Sequence, residues 1–553
     1  MQNKFFLYLL EVGGIQDFLF SSNNLQVNIG ASALVRAITE EWVIAILQDK
    51  EINIEYAPYS PTLKFSEKRI ENKNLDAEII YIGGGNALIL FKTEDLIWKF
   101  ERELSRKVLI EAQGISLVSE YMEIDLDSDN LREKNSLLHR KLSKKKTSLQ
   151  PQGSLLGLGI SARCVFSAEP AAGIWDDPGH NPLRVSDQVI SKLKYVPVAE
   201  SYLADIKNHV EGFTELKLGF TSNFDDFGEK GVSSYIAIVH CDGNRMGKRL
   251  EELGSTLNFP DDNRNYLEIL RSFSESNKFA ATKALVSTLE TLLKSLQFED
   301  NSWFIQQKYN SAGEPLTEAE KNMLPRVEVD ISKLPFRPLV FGGDDVTFIC
   351  DGRLGLALAK QFLVHYGNQY LEEGLNPKKP PVGRAGVAII PNHYPFSEGY
   401  SLAEELSGLA KKAGDSGTEP SIDWHIGKNG TVKPLSIIRT DQYHTEFGRL
   451  LKRPLRLDNR SDFDFSSFEH IVRSFQSDEA WIKRRNKVKA LYAVMREGGE
   501  RVASFISNSK LPPLPANTYL QTLSKLDQKG WYSGQCYYFD ALEALDFYVP
   551  LEV

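Results

Sequence analysis

The chain has 553 residues, too many for one core, so three or four domains are expected. It is 42% hydrophobic and 25% charged, with 74 acidic against 65 basic residues and a net charge of −9; this is the balance of a soluble globular protein and excludes wholesale electrostatic binding of nucleic acid, though not a local basic patch. The four cysteines, Cys164, Cys241, Cys350 and Cys536, form no CxxC pair, so neither a disulfide framework nor a Cys-rich zinc site is indicated, and a reducing cytoplasm is the simplest reading.

The N-terminal "MQNKFFLYLLEVGG" has a short apolar run interrupted by Glu11 and no small-residue cleavage site after it, unlike a signal peptide. No stretch approaches the roughly 20 apolar residues that span a bilayer, so no membrane partner is expected. Phe5 to Val12 reads as a buried strand, and Leu34, Ile38, Trp42 and Ile46 then mark one face of a helix. Ile79 to Phe91 is apolar on both sides of Gly83-Gly84-Gly85-Asn86, the pattern of a hairpin. A helix from Glu94 to Ala112 closes this unit, residues 1–120. Residues 121–232 are less regular, with a basic run Lys144-Lys145-Lys146 and the turn-rich "WDDPGHNP", and read as a connecting domain.

A second unit, 233–430, opens with a strand from Tyr235 that ends at Asp242-Gly243. A helix follows with apolar Phe279, Val286, Leu289, Leu293 and Leu296. "RPLVF" and "VTFIC" form a second hairpin around Gly342-Gly343-Asp344-Asp345. Leu354, Leu358, Phe362 and Tyr366 stripe the next helix; "RAGVAII" is a strand and "SLAEELSGLAKKAG" a helix. The first unit repeats the opening order of the second, an internal duplication. Residues 431–553 are helical in pattern, with Val488, Leu491, Tyr492 and Met495 beside the basic Lys483, Arg484, Arg485, Lys487 and Lys489.

The two adjacent acids of the second hairpin raise the sharpest chemical question. Gly342 and Gly343 permit a tight turn and leave room for a ligand against the backbone. Taken alone, a GGDD stretch also reads as a polar β-turn, because Gly and Asp are turn residues. If the Tyr235 strand neighbours this hairpin, however, Asp242, Asp344 and Asp345 meet at one sheet edge. Adjacent carboxylates raise each other's pKa, and a divalent cation with hard oxygen ligands removes that conflict. Three carboxylates suffice for a two-metal site.

"CDGNRMG" followed by "FGGDD" resembles the polymerase palm of the large subunit of type III CRISPR systems, the Cas ten family, whose wider relatives are the GGDEF and class III nucleotide cyclases. "EVGGIQDFLFSS" and the later "GASALV" are similar to that family's first palm. The resemblance implies an α+β fold of two ferredoxin-like palm domains with helical connecting and C-terminal domains. It implies that Asp242, Asp344 and Asp345 bind two Mg²⁺ or Mn²⁺ ions, assisted by the Gly243 carbonyl, and that the GGDD acids favour loss of a 3′-hydroxyl proton. Lys411 matches a lysine that holds the triphosphate in GGDEF-type palms, and reads otherwise as part of a solvated helix face. Gly30-Ala31-Ser32 would line a second nucleotide pocket, or form only a helix start. Asn244 stands where the motif often has an acid. In the first palm Glu11 matches Asp242 while Gly85-Asn86 replace the paired acids, so no chemistry is expected there.

The family function implied is a nucleotidyltransferase that condenses ATP into oligoadenylates, often cyclic, as second messengers of antiviral defence in the prokaryotic cytoplasm. Partners would be guide RNA, target RNA and repeat-containing RNA-binding subunits. The alternative is a catalytically silent scaffold whose two basic clusters face RNA or neighbouring subunits; a stand-alone synthase is a third reading. The chain starts at the first palm and has no His-Asp dipeptide, so the family's HD nuclease domain is not expected. Cys164 stands alone where a zinc-binding pair would lie, so no zinc is expected.

Overall fold

A computed structural model describes residues 4–55, 64–72, 75–148, 160–167, 169–176, 181–228, 234–374, 378–413, 417–428, 433–457, 462–516 and 519–552. The first sheet is built from β1 (Lys4–Gly13), β2 (Ala77–Gly83), β3 (Asn86–Phe91) and β4 (Ser116–Asp125). Its order is β2-β3-β1-β4, antiparallel throughout. Helices α1 (Ile15–Phe20) and α2 (Leu25–Thr39) lead from β1, and α3 (Glu94–Glu111) joins β3 to β4. This is the strand order of a ferredoxin-like fold. Leu7, Tyr8, Leu9 and Leu10 of β1 are all buried, as a central strand covered on both faces demands. β4 spans position 120, where the sequence reading ended this unit; its half-buried pattern carries too little alternation to mark it.

Three connecting helices follow: α4 (Leu131–Ser148), α5 (Asp187–Lys194) and α6 (Val196–His209). The basic run on α4 is exposed, but two of its lysines are paired within the chain. Lys146 Nζ pairs with Glu11 at 2.6 Å, and Lys145 Nζ donates to the Ser119 carbonyl at 2.6 Å.

The second sheet repeats the winding. Its first four strands are β5 (Tyr235–Gly243), β6 (Phe336–Val340), β7 (Val346–Asp351) and β8 (Gly383–Pro391), in the order β6-β7-β5-β8. The helices are α7 (Met246–Glu252), the long α8 (Asn263–Lys294), α9 (Gly355–Gly367) and α10 (Phe396–Ala410). β9 (Ser421–Ile426) extends the sheet by pairing parallel with β8. The expectation of two ferredoxin-like palms therefore holds. α8 begins well before Phe279, which is 57% exposed rather than part of the apolar face. A three-stranded sheet, Leu296–Glu299, Ser302–Gln306 and Arg326–Val329, is inserted between α8 and β6.

Ion pairs tie α8 of the second palm to the first. Glu78 on β2, fully buried, accepts from Arg264 at 2.6 Å and Arg271 at 3.0 Å. Burial alone would raise the Glu78 carboxyl, but the two guanidiniums and the Ile70 amide outweigh it and hold it below its ordinary value. About two turns further along α8, Lys278 pairs with buried Glu40, which also accepts from Arg36 at 3.1 Å. In the second basic cluster Arg485 and Lys489 both pair with Asp546, while Lys483, Arg484 and Lys487 are exposed. No helix among the described residues is long and apolar enough to cross a membrane.

Candidate active site

Sheet register brings the acids together. β5 and β7 pair with Val346 opposite Cys241, so the next step of that register is Asp345 against Asp242. Carboxylate oxygens of Asp242, Asp344 and Asp345 lie within 4.8 Å of one another, with Asp345 the most exposed. Two glycines make this approach possible. Gly342 has φ +110°, in the region that favours glycine. At Gly243 a Cβ would lie 3.0 Å from the Asp344 Cβ. Burial and then the neighbouring Asp345 push the Asp344 carboxyl up. The electrostatic conflict expected of adjacent acids is therefore present.

Asp242 has a partner that sequence reading missed. Arg384, opposite it on β8, pairs with its carboxylate and donates to Asn244 Oδ1 at 2.7 Å. The same Asn244 leaves its buried Nδ2 without a hydrogen-bond partner among the described residues.

The first palm supplies a matching but altered site. Its register sets Glu11 against Asn86, the positions of Asp242 and Asp345 in the second palm. The one remaining carboxylate, Glu11, is bound by Lys146. The two glycine turns face each other: a Cβ at Gly343 would lie 3.9 Å from Gly84 Cα.

Between the turns lies a cavity of about 440 Å³. The first palm lines it with Gln16, Ser32, Arg36, Gly84 and Gly85; the second with Gly342, Gly343, Asp344, Asp345 and Tyr400. Tyr400 packs edge-on against His240, whose Nδ1 is 3.1 Å from Thr347 Oγ1. Burial and then Arg384 push this histidine down to about 4, so a neutral imidazole forms that part of the wall. Gln16, within the "GGIQDF" stretch, donates to Glu404 of the second palm.

The other proposed nucleotide contacts divide. Ser32 lines the cavity and bonds the Leu339 carbonyl. Gly30 and Ala31 do not line it. A Cβ at Gly30 would lie 1.8 Å from the Lys192 carbonyl oxygen, and Ala31 is fully buried, so both serve helix packing. Lys411 caps the end of α10 and is exposed, outside the cavity lining.

The donor set of three carboxylates, without nitrogen or sulfur, fits Mg²⁺ or Mn²⁺. Among the described residues it is the one cluster of this kind.

No family model matches the sequence, and no curated protein matches it. Solved structures match in fold. A chain of a Csm1–Csm4 cassette in complex with one ATP has a TM-score of 0.52 at 13% identity, covering 99% of this chain and 70% of that chain. The cassette in complex with cA4 has a TM-score of 0.51 at 12% identity, covering 98% and 70%. Csm1 of T. onnurineus has a TM-score of 0.51 at 13% identity, covering 99% and 70%. At these identities the likeness is one of fold, and that fold is the one of Csm1, the Cas ten subunit of type III CRISPR Csm complexes.

Proposed function

We propose that the chain is a palm-domain nucleotidyltransferase that condenses ATP into oligoadenylate second messengers, cyclic products included, within a type III CRISPR effector. One observation carries the reading: an acid-bearing turn and an acid-free turn, on two palms of equal winding, face each other across one cavity. Two nucleotides, one per palm, would place the 3′-hydroxyl of one toward the α-phosphate of the other. Neighbouring structures in complex with one ATP and with cA4 support the substrate and product class.

Asp242, Asp344, Asp345 and the Gly243 carbonyl would hold the two Mg²⁺ or Mn²⁺ ions. Those ions, when bound, supply charge neutralisation at the triphosphate and stabilise the pyrophosphate leaving oxygen. Asp344 and Asp345 would also favour loss of the 3′-hydroxyl proton. Gly342 and Gly343 leave the backbone bare for close approach of phosphate. His240 and Tyr400 give the cavity an uncharged aromatic wall against which a base could pack.

The Csm1–Csm4 cassettes support a partner subunit, and guide and target RNA follow from that reading. A silent scaffold gripping RNA through the two basic runs finds less support, because Lys145, Lys146, Arg485 and Lys489 are engaged within the chain. The test is incubation with ATP and Mg²⁺ or Mn²⁺, with RNA and partner subunits supplied, and resolution of products by mass. Oligoadenylates are expected from the native chain and none from Asp344→Ala/Asp345→Ala. Identical product profiles would overturn the assignment.

A further inference from the structure

A second cavity, of about 420 Å³, lies where the end of β9 meets the C-terminal helices. It shares no lining residue with the cavity between the palms. Its wall carries Lys428, Lys433 and Arg496 against a single acid, Glu543. That acid is already committed: it accepts from Arg453 at 2.8 Å and from the Tyr443 hydroxyl at 2.8 Å.

The cations outnumber it: Lys428 acts on Glu543 only at a distance, through the Tyr492 hydroxyl, which donates to Glu543 at 3.4 Å. Among the described residues none of the three makes an ion pair, although most lysines and arginines elsewhere on the palms do. Two of them are nevertheless held in place. Lys428 Nζ sits 4.5 Å from the centre of the Tyr492 ring and donates to its hydroxyl at 3.3 Å. Arg496 donates to the Gln442 carbonyl at 2.6 Å and lies 4.7 Å over the Phe539 ring. His425 lines the same cavity; it is 6% exposed, and its Nδ1 has no hydrogen-bond partner among the described residues. A buried polar atom without a partner is destabilising, and a ligand can relieve it.

We propose that this cavity is an anion site that takes the phosphate of a free nucleotide. Phosphate oxygens only accept hydrogen bonds, and Lys428, Lys433 and Arg496 only donate them. The volume is in the range of small-molecule sites and exceeds what a lone phosphate fills. The rest of the space, lined by Ile426, Gly427, Ile438 and Gln442, leaves room for a nucleoside.

The test uses the full chain carrying Asp344→Asn and Asp345→Asn, so that the palm acids do not dominate the measurement. AMP, inorganic phosphate and a short single-stranded RNA are titrated separately, by equilibrium dialysis and phosphorus NMR. Saturable AMP binding is expected, weakened at least tenfold by adding Lys428→Ala/Lys433→Ala and weakened further by added salt. Lys433 is exposed, so Lys433→Ala alone is a variant that folds, and about a threefold loss is expected from it. AMP binding that neither variant changes would overturn the proposal. So would RNA binding without AMP binding, or phosphate binding from which AMP is excluded.

Discussion

Replacing Glu78 by alanine tests how the two palms are held together. Its carboxylate is fully buried and serves three donors: Arg264 at 2.6 Å, Arg271 at 3.0 Å and the Ile70 amide at 3.0 Å. Arg264 keeps a second partner in Glu71, while Arg271 loses its ion pair and keeps the Ile79 carbonyl at 3.0 Å and the Phe65 ring at 4.8 Å. Removing one member of a buried pair costs about 3–5 kcal/mol, because the stranded charge stays buried. That is a large share of the roughly 5–15 kcal/mol by which a folded domain is stable. Because α8 carries both arginines and β2 carries the acid, the loss falls on the joint between palms. ATP affinity is expected to drop with stability, since the cavity has walls from both.

Urea denaturation followed by tryptophan fluorescence reads the first effect, and ATP titration by calorimetry reads the second. Glu78→Gln keeps the shape and an acceptor for Ile70, so it is expected to cost about half as much as alanine. A double-mutant cycle with Arg271→Ala should return a coupling of at least about 1 kcal/mol. A loss below about 1 kcal/mol for Glu78→Ala, or a coupling of zero, would refute the clamp.

Lys192 Nζ is buried against the Phe18 carbonyl and Ser21, and burial pushes its ammonium down to about 7 from 10.5. The folded chain therefore binds fewer protons than the unfolded one between those values, so stability rises with pH across that window. The stability of the native chain minus that of Lys192→Met should grow by about 4 kcal/mol between about pH 6 and about pH 10; a flat difference would contradict the burial. Arg384→Gln removes the positive charge beside Asp242 and is expected to tighten Mn²⁺ binding, read by electron paramagnetic resonance, at least about tenfold; weaker binding would mean that Arg384 holds Asp242 in position for the ion. Gly30→Ala drives a Cβ into the Lys192 carbonyl and should cost about 1–3 kcal/mol in thermal or urea unfolding; unchanged stability with lost ATP affinity would restore Gly30 to the nucleotide pocket.

The acids were legible because they sit at a strand end and a hairpin tip, and both features leave local marks. Asp242 ends an apolar run, and the GGDD turn divides two more. Arg384 left no such mark. It opens an apolar strand, and its place beside Asp242 follows from the β5–β8 register between residues more than a hundred positions apart. The Gly30 stretch was visible but ambiguous. A missing Cβ serves the approach of a ligand or of a neighbouring helix equally, and here the neighbour is α5. Charge runs were ambiguous for a related reason. Lys145 and Lys146 are basic in sequence whether they face solvent or Ser119 and Glu11, since their partners are supplied by distant strands.

Lys146 also changes what the duplication means. The acid-free turn alone suggests a palm that merely lacks ligands for a cation. The pairing of Lys146 with Glu11 at 2.6 Å shows that the one surviving acid already has a positive charge against it. In the second palm the corresponding Asp242 also has a cation, Arg384, but two further carboxylates stand beside it. One cation against three acids leaves a net negative site that attracts a divalent ion; one against one leaves none. Lys146 lines the cavity between the palms as well. The charge balance of the first palm thus suits an anionic ligand without a bound cation, and that of the second palm a ligand with one. Under the proposed function, this unequal division across a single cavity suits two triphosphates of which only one is attacked.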